Sequence, residues 1–153
     1  MFLSSSGTVA SFGMKSTITR KYSSLGLPVL FIDGNHENFE MLNALPIVEK
    51  FGAKMHQVSK NVFHILRGEY LNIHGVTFLC LGGATSTDKI LRKDRITWWS
   101  EENISYRDVD NAVEHLKEHD FEVDYVLSHC APSSVVERMF SLPHDQNTDA
   151  LES

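Results

Sequence analysis

The sequence predicts a single α/β domain, and three observations carry that prediction. A continuous apolar run, Pro28-Val29-Leu30-Phe31-Ile32, leads through a turn into a stretch with helical spacing. A section of short β-rich segments punctuated by glycine follows, and a second apolar segment at 123–128 again leads through a turn towards a helix. Strand–turn–helix units build parallel sheets, whereas glycine-punctuated short strands build antiparallel ones. With 153 residues, 42% of them hydrophobic, the chain can fill one core and is too short for two comfortable ones.

Taken in order, residues 1–24 hold seven serines, three basic residues and no acid, without an apolar period of 2 or 3.6. They are predicted to be a poorly ordered or altered N-terminal segment, with the domain proper at 25–153. The run at 28–33 has the pattern of a strand covered on both faces, central and parallel, ended by Asp33-Gly34. Phe39, Leu42 and Leu45 then mark a short helix over 37–45, with Glu37 and Glu40 in its first turn.

Segments 62–66, 69–73 and 76–81 are separated by Arg67-Gly68 and His74-Gly75, which predicts type I′ turns in an antiparallel meander. Ser105 and Asp108 form a capping pair before Val109, Ala112, Val113 and Leu116, predicting an amphipathic helix that ends near Asp120. Residues 123–128 are predicted to be a second buried strand, and Pro132 suits the first turn of a final helix through 140.

A net charge of −6 argues against a general attraction to nucleic acid or anionic membranes, since that attraction needs clustered Lys and Arg. Cys80 and Cys130 make neither a disulfide framework nor a zinc-type pair, which fits a reducing cytoplasm. No apolar run approaches the ~20 residues of a membrane span, and the start lacks the pattern of a secretory signal.

Both predicted strand ends carry ligand-type residues. Sites in open α/β sheets form beyond the carboxyl ends of strands, so Asn35, His36 and His129 are expected to converge there. Asn35 offers a carbonyl oxygen and His129 an imidazole nitrogen, donors acceptable to Mn²⁺, Fe²⁺ or Zn²⁺, and His36 can give a proton to a leaving oxygen. Taken singly, Asn35 is by default a turn or cap residue, and the two histidines are ordinary polar residues at strand ends. His115 and His119 lie four apart on a predicted helix without the Glu-X-X spacing of a zinc protease, so charge at a helix C-terminus explains them better. Asp88, Arg92 and Arg95 follow the Gly-Gly-Ala block and could line a substrate cleft, and Trp98-Trp99 could stack a base, but a mixed-charge exposed loop and packing are the more frequent explanations. Position 136, six beyond Cys130, is Val and not Arg, which argues against thiolate phosphatase chemistry.

The run Val-Leu-Phe-Ile-Asp-Gly-Asn-His-Glu-Asn-Phe at 29–39 resembles the Gly-Asn-His-Glu block of calcineurin-like metallophosphoesterases, especially small bacterial and phage members. Leu81-Gly82-Gly83-Ala84-Thr85-Ser86-Thr87-Asp88-Lys89, Trp98-Trp99-Ser100-Glu101-Glu102 and the Ser128-His129-Cys130-Ala131-Pro132 block are similar to later blocks, in the same order, so the resemblance spans 25–140. It implies a β-sandwich flanked by helices and hydrolysis of phosphate mono- or diesters at a dinuclear Mn, Fe or Zn centre. Asn35 and His129 would then be ligands of one metal and His36 the general acid. The family's Asp-X-His and bridging-aspartate blocks have no counterpart in 1–26, and its closing Gly-His-X-His block has none after Pro132, where only His144 stands. The expectation is an incomplete domain, truncated at both ends, with an incomplete metal site and a phosphate ester of unspecified identity as substrate. Nucleic-acid ends remain within that substrate class. The alternative is a noncatalytic remnant that acts as a binding module.

Overall fold

The computed structural model describes residues 2–4, 22, 26–140 and 146–152. Among these residues, eight strands form two sheets. The first has the order β1 (Phe2–Ser4), β2 (Val29–Ile32), β5 (Val62–Ile65), β4 (Ala53–Gln57), β3 (Ile47–Lys50). The second has the order β6 (Glu69–Ile73), β7 (Val76–Leu81), β8 (Tyr125–Ser128). Helices α1 (Phe39–Asn43), α2 (Tyr106–Glu118), α3 (Ser133–Phe140) and α4 (Gln146–Ala150) accompany them. This mixed α/β architecture agrees with the class read from the sequence.

β2 lies between β1 and β5 and is parallel to both. All four of its residues are buried because each face meets apolar side chains. Leu30 and Ile32 enter the main core with Ala53, Met55, Phe63, Ile65, Leu71 and Cys80, which come from both sheets. Val29 and Phe31 pack on the opposite face with Val62, Tyr22 and Val58. Of the segment 1–24 expected to be loose, Phe2–Ser4 pairs in register with Leu30, Phe31 and Ile32, Tyr22 packs beside β2, and the remainder lies outside the described residues.

Several sequence expectations need correction. α1 begins at Phe39 behind Asn38, whose Oδ1 accepts the Met41 N–H, so Glu37 precedes the helix and is buried. β5 does not continue into a meander with β6 and β7: it belongs to the first sheet, and the chain crosses to the second at Arg67-Gly68. A type I′ turn needs positive φ at both central residues. His74 (φ 55) and Gly75 (φ 86) satisfy this between β6 and β7, whereas at the crossing only Gly68 (φ 78) does. A further hairpin, β3–β4, turns through Phe51 (φ 56) and Gly52 (φ 80) and was not among the expectations.

The capping box at Ser105 forms as predicted. Its side chain accepts the Asp108 N–H while Asp108 accepts the Ser105 N–H, and α2 runs from Tyr106 to Glu118. β8 is parallel to β7 but among the described residues is an edge strand, with Tyr125 57% and Val126 55% exposed, not the buried strand expected. Pro132 caps α3, its carbonyl accepting the Val135 and Val136 N–H groups, and α4 adds a turn beyond the helix predicted to be last.

Candidate metal and phosphate site

β2 and β8 both deliver their carboxyl ends to one region. Immediately after β2, Gly34 leaves room for the His129 ring: a Cβ at Gly34 would stand 2.7 Å from Cε1 and 2.9 Å from Nε2. The imidazole thus lies against the backbone beside Asn35. His129 Nδ1 is buried and has no hydrogen-bond partner. Burial pushes the His129 pKa below its ordinary value; Asp33 opposes that shift and His36 adds to it. The ring is therefore neutral at pH 7, with a lone pair to offer.

Asn35 is oriented from the other side. Its Nδ2 donates to Ser86 Oγ at 3.2 Å, and Ser86, 3% exposed, is fixed by buried Glu102, which accepts Ser86 N–H at 2.8 Å and O–H at 2.7 Å. With its amide nitrogen so engaged, Asn35 has Oδ1 left as an acceptor or ligand.

His36 faces Arg92, whose Nη2 lies 2.7 Å from Nδ1 and 2.9 Å from Nε2 of the ring. Arg92 in turn pairs with Asp88 at 2.8 Å and donates through Nη1 to the Thr97 carbonyl at 2.9 Å. Arg92 is thus no free member of an exposed loop. Ser86 and Glu102 escaped the sequence reading, which named Arg92 for a substrate cleft or a mixed-charge loop without linking it to His36; the Asp88/Arg92 spacing of four was the one local signal.

Beneath Asn35 lies a buried ionic cluster. Asp33, 1% exposed, accepts from Arg67 Nε at 2.9 Å and Nη2, and from His64 Nε2 at 3.1 Å. Burial, the largest influence, would raise the Asp33 carboxyl, but the Arg67 charge and the His64 and Arg67 hydrogen bonds together outweigh it and hold the group well below the usual carboxylate range. Arg67 also donates to the carbonyls of Glu101, Glu102 and Asn103 and lies over the Phe39 ring.

Whether these residues fit a metal can be judged from the donor set. Asn35 Oδ1 and a neutral His129 nitrogen are donor types that a divalent cation accepts. The carboxylate of Asp33, already committed to Arg67 and His64, does not suit a bridging position. Among the described residues no group of three or more His, Cys, Asp or Glu is arranged to hold a metal. Two such donors fall short of the ligand set of a two-metal centre.

The remaining candidates resolve into structure. His115 Nδ1 meets the Gly68 carbonyl at 2.9 Å, and His119 stacks on Tyr70 at 4.0 Å. Trp99 packs with Phe39 and Leu42, and Cys130 Sγ points to the Gly83 carbonyl at 3.6 Å. His144 lies outside the described residues.

The Metallophos family, described as calcineurin-like phosphoesterase, matches residues 7–150. The chain belongs to that family. Searches of curated proteins and of solved structures return no match. Membership in the calcineurin-like phosphoesterases makes this a hydrolase-family domain, and its Gly-Asn-His-Glu block is the turn in which Gly34, Asn35 and His36 stand. No helix among the described residues is long and apolar enough to cross a membrane.

Proposed function

We propose that this domain acts on phosphate esters through a divalent cation held by Asn35 Oδ1 and a His129 ring nitrogen, with His36 giving a proton to the leaving oxygen. The reading is carried by one observation: the buried His129 nitrogen without a partner lies against Gly34, next to an Asn35 whose amide is pinned by Ser86. A structural histidine in that position would find an acceptor or donor, because leaving a buried polar atom unpaired costs about 1–3 kcal/mol. A bound cation would supply Lewis-acid neutralisation of charge on the phosphoryl group. Ser86 and Glu102 orient the Asn35 carbonyl, and Gly34 admits the imidazole. His36, one residue on, is the group assigned to give the leaving oxygen its proton.

The dinuclear chemistry of the family requires ligands beyond these two. This chain alone is therefore expected to hydrolyse an aryl phosphodiester with added Mn²⁺ well below an ordinary enzyme rate of about 1 s⁻¹. The commitment of Asp33 to Arg67 favours the second reading, a noncatalytic domain that binds without turnover. Mn²⁺ binding followed by electron paramagnetic resonance tests the site itself. Asn35→Ala and His129→Ala should each weaken binding by about tenfold or more, equivalent to ~1.4 kcal/mol. Affinity unchanged in both variants would overturn the ligand assignment. Turnover at or above about 1 s⁻¹, abolished by Asn35→Ala and by His36→Ala, would instead mean a complete site.

A further inference from the structure

We infer that Arg92 is a binding residue for the phosphoryl group of the substrate, held by Asp88 against the proton donor His36. The inference rests on the phosphoesterase reading above and names a residue which that reading does not use. Among the described residues Arg92 is the one side chain hydrogen-bonded to the His36 ring, at 2.7 and 2.9 Å.

Comparison with the chain's other tethered arginine separates the two roles. Every guanidinium nitrogen of Arg67 donates to protein acceptors: Asp33, Asp108 and three consecutive carbonyls. Nothing is left for a ligand, so Arg67 is an internal tie. Arg92 is held at two corners, by Asp88 through Nη2 and by the Thr97 carbonyl through Nη1. Its Nε–H and second Nη1–H have no protein acceptor among the described residues.

Its side chain is only 16% exposed, so the long arm is already ordered and would lose little freedom on gripping a ligand. A preorganised guanidinium with donors to spare matches the oxygens of a phosphate group. On a chain of net charge −6, anion recognition must come from a local cation of this kind. Arg92 would draw the phosphoryl group to His36.

Inorganic phosphate is the probe, titrated into the full chain with Mn²⁺ present and followed by calorimetry and by the His36 ring signals in NMR. Arg92→Ala should weaken phosphate binding about tenfold or more, and Arg92→Lys, which keeps the charge but loses the fork, by a smaller factor. Thermal melting of both variants reports any structural loss. If Arg92→Lys melts like the parent chain and binds phosphate equally well, and Arg92→Ala does too, Arg92 is overturned while the phosphoesterase reading stands. If the parent chain binds no phosphate, that reading falls and takes this one with it. A lowered melting temperature in Arg92→Ala, with phosphate affinity unchanged in Arg92→Lys, would make Arg92 a loop tie and likewise overturn the inference.

Discussion

Replacing Arg67 with alanine should be among the most damaging single changes in this chain, through Asp33. The carboxylate is 1% and the guanidinium 9% exposed. After the substitution the carboxylate stays buried, with His64 at 3.1 Å as its remaining side-chain partner. Breaking a buried pair from one side costs about 3–5 kcal/mol, because the surviving charge keeps its desolvation penalty. At ~2–4 °C per kcal/mol for a chain of this size, the midpoint should fall by about 6–20 °C.

The pH dependence should also change. In the parent chain the Asp33 carboxyl sits below its unfolded value, so its stabilisation is complete above the ordinary carboxylate range and lost only as the pH falls below it. Without Arg67 the carboxyl rises, with only His64 left to oppose burial, so acidification from pH 7 to 5 should cost the variant less stability than it costs the parent chain. Urea denaturation at pH 7 and 5, read by circular dichroism, measures both effects. Asp33→Asn combined with Arg67→Met should cost less than Arg67→Ala alone. A loss below about 1 kcal/mol for Arg67→Ala, or strictly additive behaviour in the double variant, would refute the argument.

Two further outcomes are expected. Gly34→Ala would put a methyl 2.7–3.0 Å from the His129 ring atoms, so it should cost about 1–3 kcal/mol and weaken Mn²⁺ binding together with stability; undiminished Mn²⁺ affinity would speak against His129 as a ligand. Burial, aided by His64 and opposed by Asp33, pushes the His56 pKa down to about 4. Stability should therefore be full above about pH 6.5 and decline by up to ~3 kcal/mol as the pH falls towards 4, a slope that His56→Gln should flatten in urea titrations.

What the sequence revealed tracks how local each cause is. β2 was legible because both of its faces are apolar, and α2 because its capping box lies within four residues. The β3–β4 hairpin was hidden: β3 is almost entirely exposed and shows no apolar period, and its turn uses Phe51 where Asn or Asp would signal it. Arg67-Gly68 looked like its neighbour His74-Gly75 because nothing nearby in the sequence tells that Asp33, 34 residues earlier, draws the arginine inward. β8 was misjudged because an apolar run reads alike at a sheet edge and in its middle. Asn35, His36 and His129 stood out as polar residues ending apolar runs. Their supports did not, since Ser86 lies 51 residues from Asn35 and Arg92 lies 56 from His36.

The exposure of β8 bears on how the two halves of the site behave over time. Asn35 follows a strand buried between two parallel neighbours, while His129 follows one bonded only to β7 among the described residues and half open to water. Segments of the second kind open locally at a fraction of the global unfolding free energy. His129 can therefore leave the Gly34 shelf while β2 stays folded. A cation gripping both residues would act as a latch, its binding free energy spent partly on closing the β8 end, and backbone amides there would exchange with solvent more slowly when the metal is bound.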